Sequence, residues 1–455
     1  MAGATTASHA DSMDWHATAA GSVATTDNKN GSPTNGGRSA GVFSSVRPGM
    51  LATYNSPRHI HELLAEVDFL YNLGSDRPNV TFRGGWKAFF LTGPRSEASV
   101  NAEGSMGQIN ALQASLPSDQ GALQVMPLGR VDTKQFSGGS NFSWQATKFS
   151  RMFNRLFARQ GSTDDSTFDV STLSREVGAA IGFDRRLRKH NFVFEAGGSF
   201  VYLDKHDPMG VQMGSRRDHQ LNPRGVFVWQ YDITRQLSSN LDVGVVYVHP
   251  VTQLFGRELR DPYNPSRSYS DGVFPLFGGV LAYSDVWGRA TVNVRRSVTP
   301  NLFIAQNTVA DSATVTFAMP LKFLDKDGSN RQPKVVGLGT AGIDRTQLID
   351  PETSNLRGEF NVARVDFAVA WQPRKGQTFG LRYEFSYQKG DTVGEMVVPT
   401  FFRNTFYFTF ALRFPEEVQV RVPRRNQSVR ADKGDLAPIG AEPVVVDPSE
   451  LLQAE

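Results

Sequence analysis

The sequence predicts an all-β chain: an antiparallel transmembrane β-barrel of about 18 strands, with a disordered N-terminal arm and a C-terminal tail. Three observations carry this expectation. Apolar and polar residues alternate with period two from about 41 to 414. No stretch approaches the ~18 consecutive apolar residues that a spanning helix needs. The 455 residues include 32 Phe and no Cys. Without Cys there is no disulfide scaffold, no Cys-based metal or iron–sulfur site and no cysteine nucleophile, and the chain fits an exported protein that avoids stray thiols.

Residues 1–40 are mostly Ala, Gly, Ser, Thr, Asn and Asp without hydrophobic periodicity, and read as a disordered arm. They contain neither a basic n-region nor an apolar h-region of a signal peptide. Strand-like runs follow near 41–54, 60–72 and 79–91, the last with Val80, Phe82, Trp86 and Phe90 on one face and Thr81, Arg83 and Lys87 on the other. The runs near 96–106, 122–134, 139–150 and 152–159 alternate poorly. Clearer runs resume near 172–184, 190–203, 221–233, 240–249, 274–284, 286–297, 301–310 and 312–323. The hairpin 359–372 and 377–389 is the clearest: Val365, Phe367, Val369 and Trp371 share a face with Phe379, Leu381, Tyr383 and Phe385 across a polar Pro-Arg-Lys-Gly turn. A last run covers 402–414. Pro48, Pro127, Pro223 and Pro320 weaken their strands, since proline cannot donate to a ladder.

Segments 236–241 and 297–302 read as short turns, and the polar stretches near 204–220, 249–273 and 324–357 as long loops. An even strand number places both chain ends on one side and all three loops on the other. A soluble β-protein also alternates, with its apolar face turned into a core. Bulky Phe, Trp and Tyr close to strand ends, and Gly beside paired charges on the polar faces, favour the inverted arrangement with apolar residues toward lipid.

Parity then predicts the lumen. Arg83, Lys87, Glu195, Arg224, Asp232, Arg289, Arg295, Arg364, Asp366, Arg382, Glu384 and Arg403 are the candidate pore-lining residues, joined by Glu66, Asp68, Glu176, Asp184, Asp242, Lys322 and Arg413. These cations and anions nearly balance, which implies weak charge selectivity. The same side chains would alternatively pair across strands and brace the wall. Phe89, Trp287 and Tyr407 are inward-facing candidates for stacking platforms.

The chain offers no enzymatic constellation. Its 8 His lie in the arm, at turns or in loops, and imply no Ser–His–acid arrangement. His59 and His61 share a strand face and would need a third ligand to hold a metal. The Gly337-Leu338-Gly339-Thr340-Ala341-Gly342 piece lacks a βαβ context. No catalytic residue, cofactor or metal is expected. The net charge, 48 Lys+Arg against 45 Asp+Glu, is interleaved rather than gathered into a stripe, as at Arg364 with Asp366, so no nucleic acid is expected either.

The last run places Phe402, Asn404, Phe406, Phe408, Phe410, Leu412 and Phe414 on one face. It resembles the C-terminal assembly signal of bacterial outer-membrane proteins, although here about forty residues follow it. Residues 41–414 as a whole resemble Gram-negative outer-membrane β-barrel proteins and, in strand count, the eighteen-strand polysaccharide-secretion porins. The resemblance implies an outer-membrane location, contact with its lipid, and recognition by the barrel-insertion machinery through the strand ending at Phe414. It also implies a channel that passes polar solutes or exports polysaccharide. A plugged structural or receptor barrel and an outer-membrane hydrolase stand as alternatives. The tail, 415–455, carries Arg421, Arg424, Arg425 and Arg430 before an acidic end, and reads either as a disordered periplasmic extension or as a docking segment for a periplasmic secretion partner.

Overall fold

The computed structural model describes residues 12–28, 40–73, 78–109, 131–165, 169–208, 214–259, 261–266, 269–301, 305–321, 335–374, 376–390, 392–393, 396–397 and 400–414. They form one closed 18-stranded antiparallel sheet, with no helix among the described residues. Its strands are β1 (Ser12–Thr26), β2 (Gly41–Asn55), β3 (His59–Asn72), β4 (Asn79–Gly93), β5 (Ser96–Ile109), β6 (Val131–Thr147), β7 (Ser150–Asp165), β8 (Val170–Leu187) and β9 (His190–His206). They continue as β10 (Arg216–Asp232), β11 (Leu237–Pro250), β12 (Gly272–Asp285), β13 (Gly288–Asn301), β14 (Gln306–Pro320), β15 (Val335–Ile349), β16 (Leu356–Arg374), β17 (Gln377–Lys389) and β18 (Phe401–Phe414). Each strand pairs with the next, and β1 pairs with β18 from Ala17 opposite Phe414 to Thr26 opposite Thr405. Closure leaves no free edge, the condition a sheet must meet to place its backbone in lipid. The ladder is interrupted at two internal prolines: β2 to β3 skips Arg47 and Pro48, and β10 to β11 skips Asn222 and Pro223. Strands at ~4.8 Å spacing and ~40° tilt make a wall roughly 35 Å across.

The register assigns every side chain to one of two faces. The outer one carries a continuous exposed apolar belt, including Val46, Leu63, Phe82, Phe142, Leu156, Ile181, Phe194, Val243, Leu281, Val315, Phe367, Leu381 and Phe408. All 6 Trp of the chain sit on this face or its rim in the half nearest the short links: Trp15, Trp86, Trp144, Trp229, Trp287 and Trp371. Tyr71, Tyr202, Tyr247 and Tyr387 mark the opposite end. On β9, Phe192 beside Trp229 and Tyr202 lie ten residues apart, about 34 Å along the strand and about 26 Å along the barrel axis after tilt. An apolar band of that height between aromatic girdles is the outer surface of a membrane-spanning barrel.

The strand number agrees with the expectation, but the set of strands does not. Ser12–Thr26, expected to belong to the disordered arm, is β1 and closes the barrel. Val335–Ile349, expected within a long loop, is β15. In the other direction, the runs expected at 301–310 and 312–323 are the single strand β14. The run expected at 122–134 lies mostly outside the described residues, and 131–147 forms one strand. Two surplus runs thus offset two missing ones. The loop assignment changes as well. The links after β9 and β11 share one end of the barrel, but the link between β14 and β15 lies at the other, with Ser12 and Phe414. Segments 236–241 and 297–302, expected as equivalent turns, lie mostly inside β11 and β13, at opposite ends of the barrel.

Candidate channel lumen

The face opposite the apolar belt is polar. The register places Arg83, Lys87, Glu195, Arg224, Asp232, Arg289, Arg295, Arg364, Asp366, Arg382, Glu384 and Arg403 on it. They are spread around the wall, and only some meet. Arg382 donates to Asp366 at 2.5 Å and to Glu384 at 3.0 Å, and its guanidinium stacks 5.2 Å from the Tyr407 ring. Glu195 joins Arg224 at 3.3 Å. Arg403 is buried beside Ser386 and Thr405, whereas Arg83, Lys87, Asp232 and Arg289 are exposed. Lys322 lies outside the described residues. Of the three aromatic candidates, Phe89 and Tyr407 lie on the inner face. Trp287 does not: it occupies the two-residue turn after β12 and stacks on the outward Tyr283, with ring centroids 5.4 Å apart.

One row of charged and aromatic side chains on the inner wall escaped the sequence. On β7, Arg151, Phe153, Arg155, Phe157 and Arg159 succeed one another on the inner face. Each arginine meets a carboxylate: Arg151 with Asp184 of β8 at 3.2 Å, Arg155 with Glu195 of β9, two strands away, at 3.2 Å, and Arg159 with Glu176 of β8 at 2.9 Å. Arg155 lies over Phe153, and both Arg159 and Arg224 over Phe157, at 5.1 to 5.7 Å from the ring centroids. The row is therefore braced by ion pairs and cation–π contacts together. The parity of β7 is hard to read because Met152 and Leu156 make its other face apolar as well.

Inward aliphatic residues of β9 to β12 make the lumen asymmetric. Val193, Val226, Val228, Val246, Val248, Phe274 and Leu276 form a buried cluster with Val309 and Ile349, which come from strands elsewhere on the wall. Above it, Ala305 and the first residues of β14 reach inward. Ala305 packs on Val201 and Leu203 of β9, and its carbonyl accepts from Arg216 Nη2 at 2.7 Å. Asn307 Nδ2 donates to Gln220 of β10, four strands away around the wall. The link after β11 is tied to the same mouth: Tyr269 donates to the Arg217 carbonyl at 2.9 Å, and Ser354 Oγ to the Ser270 carbonyl at 2.7 Å. Asp271 in this link accepts from the Tyr247 hydroxyl at 2.6 Å and meets His249 Nδ1 at 2.7 Å, and these bonds hold its carboxyl below the usual range. One sector of the mouth is thus packed by side chains from strands β9 to β15.

His59 and His61 lie on the outer face with ring centroids 5.4 Å apart, among Tyr54, Trp86 and Phe90. Among the described residues no group of three or more His, Cys, Asp or Glu is placed to hold a metal ion.

No family model and no curated protein matches the chain. Solved structures share its general shape at low identity. The alcaligin outer membrane receptor FauA of Bordetella pertussis aligns over 88% of this chain and 76% of its own, at 10% identity and a TM-score of 0.45. OccAB3 of Acinetobacter baumannii aligns over 88% and 99%, at 11% identity and a TM-score of 0.42. OccK2 of Pseudomonas aeruginosa, solved with glucuronate, aligns over 88% and 98%, at 9% identity and a TM-score of 0.43.

Proposed function

We propose that the chain is an outer-membrane channel that passes small polar solutes along an off-centre, mixed-charge path. The observation that carries this reading is the solvent exposure of the inward charged side chains Lys87 and Glu103, which lie well inside β4 and β5 of a closed barrel of 18 strands. A sealed interior would bury or pair such groups, because an isolated charge away from water is costly. Barrels of 16 to 18 strands enclose an aqueous channel unless something fills them. The twelve inward charges predicted from parity are its proposed lining, with Glu195, Arg224 and Arg382 acting as braces as much as contacts. In this reading the two ends of the barrel, Ser12 and Phe414, face the periplasm, and the strand ending at Phe414 is offered to the insertion machinery. A periplasmic secretion partner for 415–455 is an extension of the same proposal, and that segment lies outside the described residues.

The inward tip at Ala305 to Asn307 favours a second reading, a barrel whose mouth is occluded at rest. Single-channel recording in planar bilayers separates the two. The channel reading expects stepwise conductance with weak ion selectivity. A protein that inserts and shows heat-modifiable gel migration, yet never conducts, would refute it in favour of the occluded barrel.

A further inference from the structure

We propose that the rim carrying the short links is a docking collar for anionic phospholipid headgroups. The proposal rests on the membrane-barrel reading and adds a lipid partner to it. Among the described residues, five of the two- to four-residue links at that end carry cations: Arg58, Arg95, Lys148, Arg188 with Lys189, and Arg235. Arg185, Arg186 and Arg374 extend the series at the ends of β8 and β16, and all of these side chains are exposed. None of the described residues in the links is acidic. Of the carboxylates at the adjoining strand ends, Glu97 and Asp184 face the lumen and are engaged by Arg151, at 3.7 and 3.2 Å, Asp232 faces the lumen, and Asp285 accepts from the Tyr283 hydroxyl at 3.2 Å.

The opposite rim is built differently. There Arg217 meets Asp204 at 2.9 Å, Arg345 meets Glu359 at 2.6 Å and Arg357 meets Asp350 at 2.6 Å. These three ion pairs neutralise cations of that rim, whereas the cations of the short links are exposed side chains in links whose described residues carry no carboxylate.

Position identifies the occupant. The cations sit beyond the end of the barrel that holds all 6 Trp, and the Lys148 ammonium lies 5.7 Å from the Phe149 ring centroid at the edge of that girdle. Indole and phenol rings settle at the headgroup level of a bilayer, so cations just past them reach the phosphates. The cations are also distributed around the perimeter, at the links after β2, β4, β6, β8 and β10 and beside the link after β16. A soluble acidic partner touches one patch of a rim roughly 35 Å across. A lipid annulus touches every link at once.

The test uses the full chain refolded into phosphatidylcholine vesicles with trace spin-labelled phosphatidylglycerol or spin-labelled phosphatidylcholine. It reads the motionally restricted fraction of each label by electron paramagnetic resonance. The collar predicts a preference for phosphatidylglycerol of at least about fivefold, the contribution of one cation at an anionic surface, shrinking in about 1 M salt. In the variant R58Q/R95Q/K148Q/R188Q/K189Q/R235Q the preference falls to near unity, while R217Q/R345Q/R357Q keeps it. Heat-modifiable migration shows that each variant is folded. Equal restriction of both labels by the unaltered chain overturns the collar, as does a preference that survives the first variant or disappears in the second. Loss of binding to a soluble acidic polymer in the first variant, with lipid preference intact, assigns the rim to a soluble partner and also overturns it. Restriction of neither label sinks the membrane-barrel reading itself, an outcome distinct from the loss of selectivity alone.

Discussion

Replacing Asp27 with Ala is expected to weaken the whole barrel, because this side chain clasps the seam between the first and last strands. Its carboxylate accepts from the Asn404 backbone N–H at 2.8 Å and from Asn404 Nδ2 at 2.6 Å. The Asp27 N–H donates back to the Asn404 carbonyl at 3.2 Å, and the Tyr383 hydroxyl donates to Asn404 Oδ1 at 2.7 Å. Each hydrogen bond to a charged group contributes ~1.5–3 kcal/mol when buried. Asp27 is half-buried, so the low end applies, and losing both bonds costs about 2–3 kcal/mol. That is a roughly 30- to 150-fold rise in the unfolding constant. The remainder of β1, with 15 register pairs to β2 and 10 to β18, keeps the variant folded. Urea unfolding of the refolded chain followed by tryptophan emission measures it cleanly. The indoles lie at the far end of the barrel from Asp27, so their signal reports global rather than local opening. Asp27→Asn should fall between, since its amide oxygen still accepts from one donor while its nitrogen faces the other. A loss below about 0.5 kcal/mol for Asp27→Ala, or an Asn variant no better than Ala, would refute the clasp.

Three further outcomes follow from the same coordinates. Glu195→Gln leaves Arg155 and Arg224 without their shared counter-ion, at 3.2 and 3.3 Å, so the reversal potential in a salt gradient should move toward anion selectivity; an unchanged potential would place both arginines off the conduction path. Gly197→Ala puts a Cβ 2.4 Å from the Ala179 carbonyl oxygen and 2.7 Å from Ala180 Cβ, and displacing that backbone should cost about 1–3 kcal/mol in urea unfolding, with Gly225→Ala, which meets open space, as the control. Finally, the hydrogen bonds on Asp271 depress its titration, so the tie between the link after β11 and its strand is intact above the usual carboxylate range, near pH ~4, and is lost as pH falls through the lowered value. Limited proteolysis of 251–271 should accelerate only on that acid side, and acceleration between neutral pH and pH ~5 would contradict the assignment.

The alternating strands were legible because each carries a bulky outer face of its own, as Phe379, Leu381, Tyr383 and Phe385 do on β17. Inward parity followed from the same alternation wherever it was clear, which is why Arg364, Asp366, Arg382 and Glu384 fall on one face. The arginine row of β7 was not legible, because aromatic residues line its inner face and aliphatic ones its outer face. Nor could any local pattern anticipate Ala305 against Val201 and Leu203, a contact of the residue just before β14 with a strand that is not its neighbour in the sheet.

The two missed strands share one physical cause. On β1 the outer positions Ala17, Ala19 and Gly21 are small, and an added Cβ at Gly21 would stand 2.7 Å from the Phe410 ring of β18. On β15 the outer positions Gly337, Gly339 and Ala341 are small, and a Cβ at Gly339 would stand 2.2 Å from the Phe317 ring of β14. In both places an aromatic ring from the neighbouring strand lies across the backbone and presents the apolar surface that the strand itself lacks. Lipid meets the ring, not the glycine beneath it. Apolar alternation in a membrane barrel is therefore partly a property of paired strands, and a run of small outer residues beside a partner's aromatic ring satisfies it without displaying it. The same reasoning explains why the Phe excess is concentrated on some strands: β18, with Phe402, Phe406, Phe408, Phe410 and Phe414, covers β1 as well as itself.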